Sequence, residues 1–174
     1  MPNRESSSSF RPALMPTAAW VFGRLDRIIA FGFGSGLLRP GPGTWGTAMA
    51  WLLWELLFAG LPDAWVAIGL LLAFGLGCWV CQRCGQALGA PDHGGMVWDE
   101  IVAFWLVLWL IPPDIWVQLL AFVIFRAFDI FKPQPIAYFD RRYKNGFGVM
   151  LDDLLAAIYS LLVMALIVRF GGWV

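Results

Sequence analysis

Two pairs of adjacent carboxylates, Asp99-Glu100 and Asp152-Asp153, stand beside apolar runs of membrane-grade hydrophobicity. Ionised acids that close to hydrocarbon are costly, so they face a protein interior or a wet cavity, find a partner, and mark a site. Cations to pair with them are present: Arg126 and Asp129 are three residues apart, on neighbouring positions of one helix face, and Lys132 follows before Pro133 and Pro135 end the helix. Capping and dipole compensation explain most single acids at helix N-termini. Two pairs converging with Asp92, Asp129 and two cations exceed what caps require. Clustered carboxylates without thiolates describe a hard oxygen site, where Mg2+ binds through one or two carboxylates, waters and substrate phosphate. Arg126 would hold phosphate oxygens by its bidentate fork and Lys132 as a point charge. Water attacking phosphorus in line would complete a hydrolase. His93 is the only histidine, which excludes a two-histidine phosphatase. It is a general acid, a phosphate donor, or simply a polar turn residue beside Gly94-Gly95.

Two glycine-rich stretches accompany the charges. Gly32-Phe-Gly-Ser-Gly36, followed by Pro40-Gly-Pro-Gly43-Thr44-Trp-Gly46-Thr47, would let backbone N–H groups around Gly43 hold an anion, with Thr44 capping the next helix. No Gly-Lys-Ser/Thr follows, so it is not a Walker loop, and a plain tight turn fits the stretch equally well. The second, Gly146-Phe-Gly148, reads as a turn delivering Asp152-Asp153 to a helix start.

The elements that must position these residues are set by composition. With 60% hydrophobic residues, eleven Trp, 14% charged residues and a mean hydropathy of +0.70, the 174-residue chain reads as one membrane domain over residues 20–174 behind a Ser- and Pro-rich disordered tail, residues 1–19. From Trp20, apolar residues at helical spacing with Arg24 and Arg27 on another face predict an interfacial helix. Apolar helices are expected over 44–61, 64–81, 99–111, 115–131 and 152–168. The fold class is therefore all-α, a polytopic membrane helical bundle of about five apolar helices. Gly69, Ala73 and Gly77 repeat every fourth residue, allowing close helix contact. Trp residues are expected at helix ends along the membrane boundary.

Charge distribution gives the orientation. With the N-terminus in the cytoplasm, all Arg and Lys except Arg169 fall on or near that side, and the three polar stretches 32–47, 92–100 and 126–153 share it. A net charge of zero argues against a nucleic-acid partner. Cys78, Cys81 and Cys84 lack a fourth ligand for zinc or an iron-sulfur cluster, so they read as ordinary helix residues.

In order along the chain, Gly32-Phe-Gly-Ser-Gly36 with Pro42-Gly-Thr-Trp-Gly46, Asp92-His-Gly with Trp98-Asp-Glu100, Phe125-Arg126 through Asp129, Lys132-Pro133, Pro135-Ile136, and Gly146 through Asp152-Asp153 closely resemble the phosphatidylglycerophosphatase A family. The resemblance runs from about Phe31 to Ala157. It implies a multi-pass, Mg2+-dependent lipid phosphatase of the bacterial inner membrane, with its active site facing the cytoplasm. Its substrate would be phosphatidylglycerophosphate, its product phosphatidylglycerol, and its role phospholipid synthesis. Site residues implied are Asp99, Glu100, Asp129, Asp152 and Asp153 for catalysis and Arg126 and Lys132 for substrate; His93, Thr44 and Gly43 are expected beside them as substrate contacts from the residues themselves. Asp99, Glu100, Asp152 and Asp153 are expected to form the metal shell, with Asp92 and Asp129 secondary. Ala103 and Ala157 stand where glycine is expected, and Thr47 where serine is. The runner-up is a small cation transporter, which would carry its acids at the membrane midplane. A CDP-alcohol type synthase would need a spaced Asp-Gly, Ala-Arg and Asp-x3-Asp run that the chain lacks. Oligomeric state is not legible.

Overall fold

The computed structural model describes residues 15–171. Among them every regular element is helical. Most of the tail read over 1–19 lies outside the described residues, and Ala18 and Ala19 already belong to the first helix, α1 (Ala18–Phe22). A break at Gly23 and Arg24 separates α1 from α2 (Leu25–Ala30), so the single interfacial helix expected here is two short ones. A 3-10 stretch over Gly32–Leu37 follows.

The five apolar helices are α3 (Pro42–Leu57), α4 (Asp63–Leu88), α5 (Trp98–Leu110), α6 (Ile115–Phe131) and α8 (Gly146–Gly171), with a short α7 (Ile136–Arg142) before the last. Their ends have local causes. Asp114 Oδ1 accepts from the N–H groups of Trp116 and Val117 and so caps α6. Gly89, in the left-handed region, closes α4. Thr44 does not cap α3: Gly41 holds the N-cap position and Pro42 the first helical one, where a missing N–H costs nothing. Asp152 and Asp153 do not start α8 either, because the helix begins two turns earlier, with Asn145 Oδ1 accepting from Gly148 N–H at 2.8 Å.

α5 is the core helix. Trp98, Asp99, Ile101 through Trp105, Val107 and Leu108 are all buried, as a helix packed on every side requires. It lies between α8 and α3, with α4 and α6 completing the bundle. At Gly77 the neighbours come close: an added β-carbon would collide with Met150 of α8 and stand 2.8 Å from the Trp98 indole. Gly69 likewise faces Phe58, so the small-residue repeat does serve close packing. Several tryptophans act differently from the boundary anchors expected. Trp98 and Trp105 are buried, and their indole N–H groups donate to the carbonyls of Ala73 and Ala50 at 3.0 and 2.8 Å, tying α5 to α4 and α3. Cys78, Cys81 and Cys84 are free thiols on α4.

Candidate active site

All the polar stretches meet at one end of the bundle, where α3 and α5 start, α6 stops and α8 makes its second turn. The loop ahead of α5 is pinned by Val97 N–H to Ala30 O at 2.9 Å and by Met96 N–H to His93 O at 2.7 Å. It packs on the 3-10 stretch so tightly that a side chain at Gly36 would strike the Gly95 carbonyl. That support delivers Asp99 and Glu100 in the first turn of α5, where the helix dipole favours acids.

The acids divide into two groups. Asp99, Glu100 and Asp153 each offer an oxygen within 4.8 Å of the others, all three shielded from solvent, and Asp92, Asp140 and Asp152 form a second group of the same tightness. The four carboxylates expected as one metal shell are thus shared between two neighbouring groups. Consecutive helical residues point about 100° apart, so Asp152 and Asp153 turn to different sides of α8.

Arg126 and Lys132 each serve one group. Arg126 Nη1 lies 2.7 Å from Asp129 Oδ2 and 3.4 Å from Glu100 Oε1. It also reaches Thr47 Oγ1 at 3.5 Å, while that hydroxyl donates to the Gly43 carbonyl at 2.8 Å. Thr47, noted in the sequence only as a departure, is fully buried and joins α3 to this network. Gly43 leaves room for the site: a β-carbon there would displace Glu100 Oε1 and the Arg126 guanidinium. Lys132, the left-handed C-cap of α6, is swung by that conformation towards Asp152 Oδ2, with which it pairs closely, and stands 3.2 Å from Asp140 Oδ1. Burial disfavours its charge, but Asp152 above all, with Asp153 and Asp92, raises its pKa above the ordinary lysine value.

Asp140 escaped the sequence reading. It sits on α7, seven residues without a usable apolar period, between Phe139 and the basic pair Arg141-Arg142. Lys132 and Lys144 hold its carboxyl below the usual value against the opposing effect of burial. Among the described residues neither His93 nor Thr44 hydrogen-bonds to an acid of either group, although His93 directly follows Asp92. The His93 Nδ1 accepts from Gly95 N–H at 3.1 Å, and the ring leans on Phe31. Burial first, then Arg39, lowers its pKa. Thr44 is exposed on the third helical residue of α3.

Among the described residues, four buried polar atoms here have no hydrogen-bond partner: Asp99 Oδ1, Glu100 Oε2, Asp152 Oδ1 and Arg126 Nε. Each orphan costs about 1–3 kcal/mol in a folded protein. Three are carboxylate acceptors and one is a guanidinium donor, a deficit that a cation and an oxyanion together would answer. All-oxygen donors at this density fit a hard divalent cation.

The family model for phosphatidylglycerophosphatase A matches residues 28–168. The chain belongs to this family. A phosphatidylglycerophosphatase A from Haemophilus influenzae is 48% identical over 138 residues, covering 79% of this chain and 85% of that protein. One from Escherichia coli is 39% identical over 134 residues, 76% of this chain and 77% of that one. A putative phosphatidylinositol-3-phosphatase from Bacteroides thetaiotaomicron is 33% identical over 162 residues, 89% and 94% of the two chains. No solved structure matches. Among the described residues, the phosphatidylglycerophosphatase A match takes in both acid groups, Arg126 and Lys132, and begins inside α2.

Proposed function

We propose that this chain is a Mg2+-dependent lipid phosphatase working at the cytoplasmic face of a bacterial inner membrane. As a member of the phosphatidylglycerophosphatase A family, it dephosphorylates phosphatidylglycerophosphate to phosphatidylglycerol. The observation that carries the metal and phosphate assignment is the set of orphan atoms, three carboxylate oxygens and the Arg126 Nε, gathered at one end of the bundle.

Asp99, Glu100 and Asp153 would hold the cation, with Asp152 adjoining through the second group. When bound, Mg2+ supplies charge neutralisation at the phosphate oxygens and acidifies water. The chain's own part is positional. Arg126 donates Nε and Nη to the terminal phosphate, and Glu100 and Asp129 keep its guanidinium aimed. Lys132 adds a point charge on the Asp152 side and leaves Asp140 as its alternative partner when it moves to an oxyanion. A carboxylate of the second group, freed from Lys132, would accept the proton of the attacking water as the bond from phosphorus to the glycerol oxygen breaks, and return a proton to that departing oxygen.

The membrane placement rests on surface as well as length. α4 and α8 are long and apolar enough to cross a bilayer. Leu56, Trp65, Leu71, Leu72, Trp116, Val123, Leu162 and Leu166 are all exposed around the bundle, an apolar surface too large for a soluble monomer. Acids at one end of the helices favour a headgroup site over the midplane site of a transporter.

Release of inorganic phosphate from phosphatidylglycerophosphate by the detergent-purified chain tests this. Turnover with Mg2+ that stops on adding EDTA is expected. No release with any divalent metal, together with cation flux in proteoliposomes, would replace the phosphatase with the transporter.

A further inference from the structure

A groove of about 420 Å³ runs down the bundle between α4, α5 and α8. Ala67, Leu70 and Phe74 line it from α4, Val102, Leu106 and Trp109 from α5, and Leu154 from α8. None of these side chains is charged. The one polar atom among them, the Trp109 indole N–H, is already committed to Asp63 Oδ1 at 3.0 Å. With no free hydrogen-bonding side chain, the groove suits hydrocarbon.

Its upper end lies within about one helical turn of the acid site. Leu154 directly follows Asp153, and Val102 lies one helical turn beyond Asp99. The Trp98 indole bound to the Ala73 carbonyl fixes Phe74 at the level of the start of α5. From there Val102, Leu106 and Trp109 continue down one side of α5 at helical spacing, over about 10 Å. Leu71 forms an exposed lip, so the groove opens sideways rather than being sealed within the bundle.

Resting on the phosphatase reading, we infer that this groove seats one acyl chain of the substrate, and that Ala67, Val102 and Leu106 set which chains are accepted. A phosphomonoester held at Asp99 and Asp153 must direct its acyl chains along the bundle, and this groove begins about one helical turn below Asp99. The occupant is a fatty acyl chain, and the groove makes the enzyme read the lipid's tail as well as its headgroup.

Two groove-filling variants, Ala67→Phe and Leu106→Trp, test this on two substrates: long-chain diacyl phosphatidylglycerophosphate in mixed micelles, and the water-soluble deacylated headgroup, glycerophosphoglycerophosphate. Expected is a fall of about tenfold in kcat/KM on the long-chain lipid, the effect of denying burial to roughly two methylenes, with the headgroup substrate unchanged. Unchanged activity on the lipid, or an equal fall on both substrates in both variants, overturns the groove assignment. Failure of the wild type on both substrates would instead overturn the phosphatase reading itself.

Discussion

Gly43 faces the guanidinium of Arg126 so closely that a β-carbon built on it would stand 2.7 Å from Nη2 and 2.8 Å from Nη1. The start of α3 is therefore the back wall of the proposed phosphate site, and the absence of a side chain leaves room for Arg126 between Glu100 and Asp129. Gly43→Ala should push the guanidinium aside while leaving α3 intact, since alanine favours helix. A misplacement near 1 Å costs about a hundredfold in rate. That loss in kcat/KM, with an unchanged unfolding temperature, is the expected outcome of phosphate-release and thermal-unfolding assays.

Arg126→Lys keeps the charge and discards the fork. The orphan Nε disappears, and one ammonium cannot meet Glu100, Asp129 and phosphate in the same geometry. Turnover should fall by roughly ten- to a hundredfold, as expected for losing a charge-assisted hydrogen bond, while yield from the membrane stays near wild type. Equal activity at low and saturating substrate would remove Arg126 from the phosphate site.

Lys132 neutralises a buried acid, so its loss should cost stability as well as activity. Lys132→Met leaves Asp152 buried without its cation, a defect worth about 3 kcal/mol when one partner of a buried pair is removed. Asp152→Asn in the same background should recover part of the unfolding temperature without recovering activity. A Lys132→Met protein as stable as wild type would show that the pair contributes nothing to the fold.

Much of this was legible in the sequence, for identifiable reasons. The limits of α6 follow from Asp114 as cap and Pro133 as stop, both local signals. α4 continues seven residues beyond the reading at Cys81, because hydropathy ends at Gln82 and Arg83 whereas the helix ends at the left-handed Gly89. Asp99, Glu100, Arg126 and Lys132 announce themselves as charges in apolar surroundings. Asp140 does not, since it sits in a short polar segment where an acid is unremarkable and only folding brings it 3.2 Å from Lys132. The division of the acids was hidden for a geometric reason: adjacency in sequence suggests a shared ligand, but helical rotation separates Asp152 from Asp153.

The N-terminal hairpin gives a pH dependence of its own. Burial raises the pKa of Asp26, but two hydrogen bonds from Arg24 and the charges of Arg24 and Arg83 outweigh it, so the carboxyl titrates below its ordinary value of 3.8. Its ion pairs therefore stabilise the folded chain fully above the unfolded value. That stability is lost as the pH falls through the lower, folded one. Both arginines are about half exposed, which limits the effect to about 1 kcal/mol. Asp26→Asn should lower the unfolding temperature slightly at pH 7, and the difference should shrink as the pH falls below 3.8 and through the lower folded value. A gap that persists undiminished in acid would assign the loss to packing.

The most direct test of a divalent-cation phosphatase centred on the first acid group is Asp99→Asn, assayed for Mn2+ binding by electron paramagnetic resonance and for Mg2+-dependent phosphate release from phosphatidylglycerophosphate. The substitution keeps the shape of a buried side chain and removes one of the orphan anionic oxygens. The variant should unfold near the wild-type temperature, bind Mn2+ at least about tenfold more weakly and release phosphate at least about a hundredfold more slowly. A folded Asp99→Asn protein that binds Mn2+ and turns over like wild type would contradict the assignment of Asp99, Glu100 and Asp153 as the metal site.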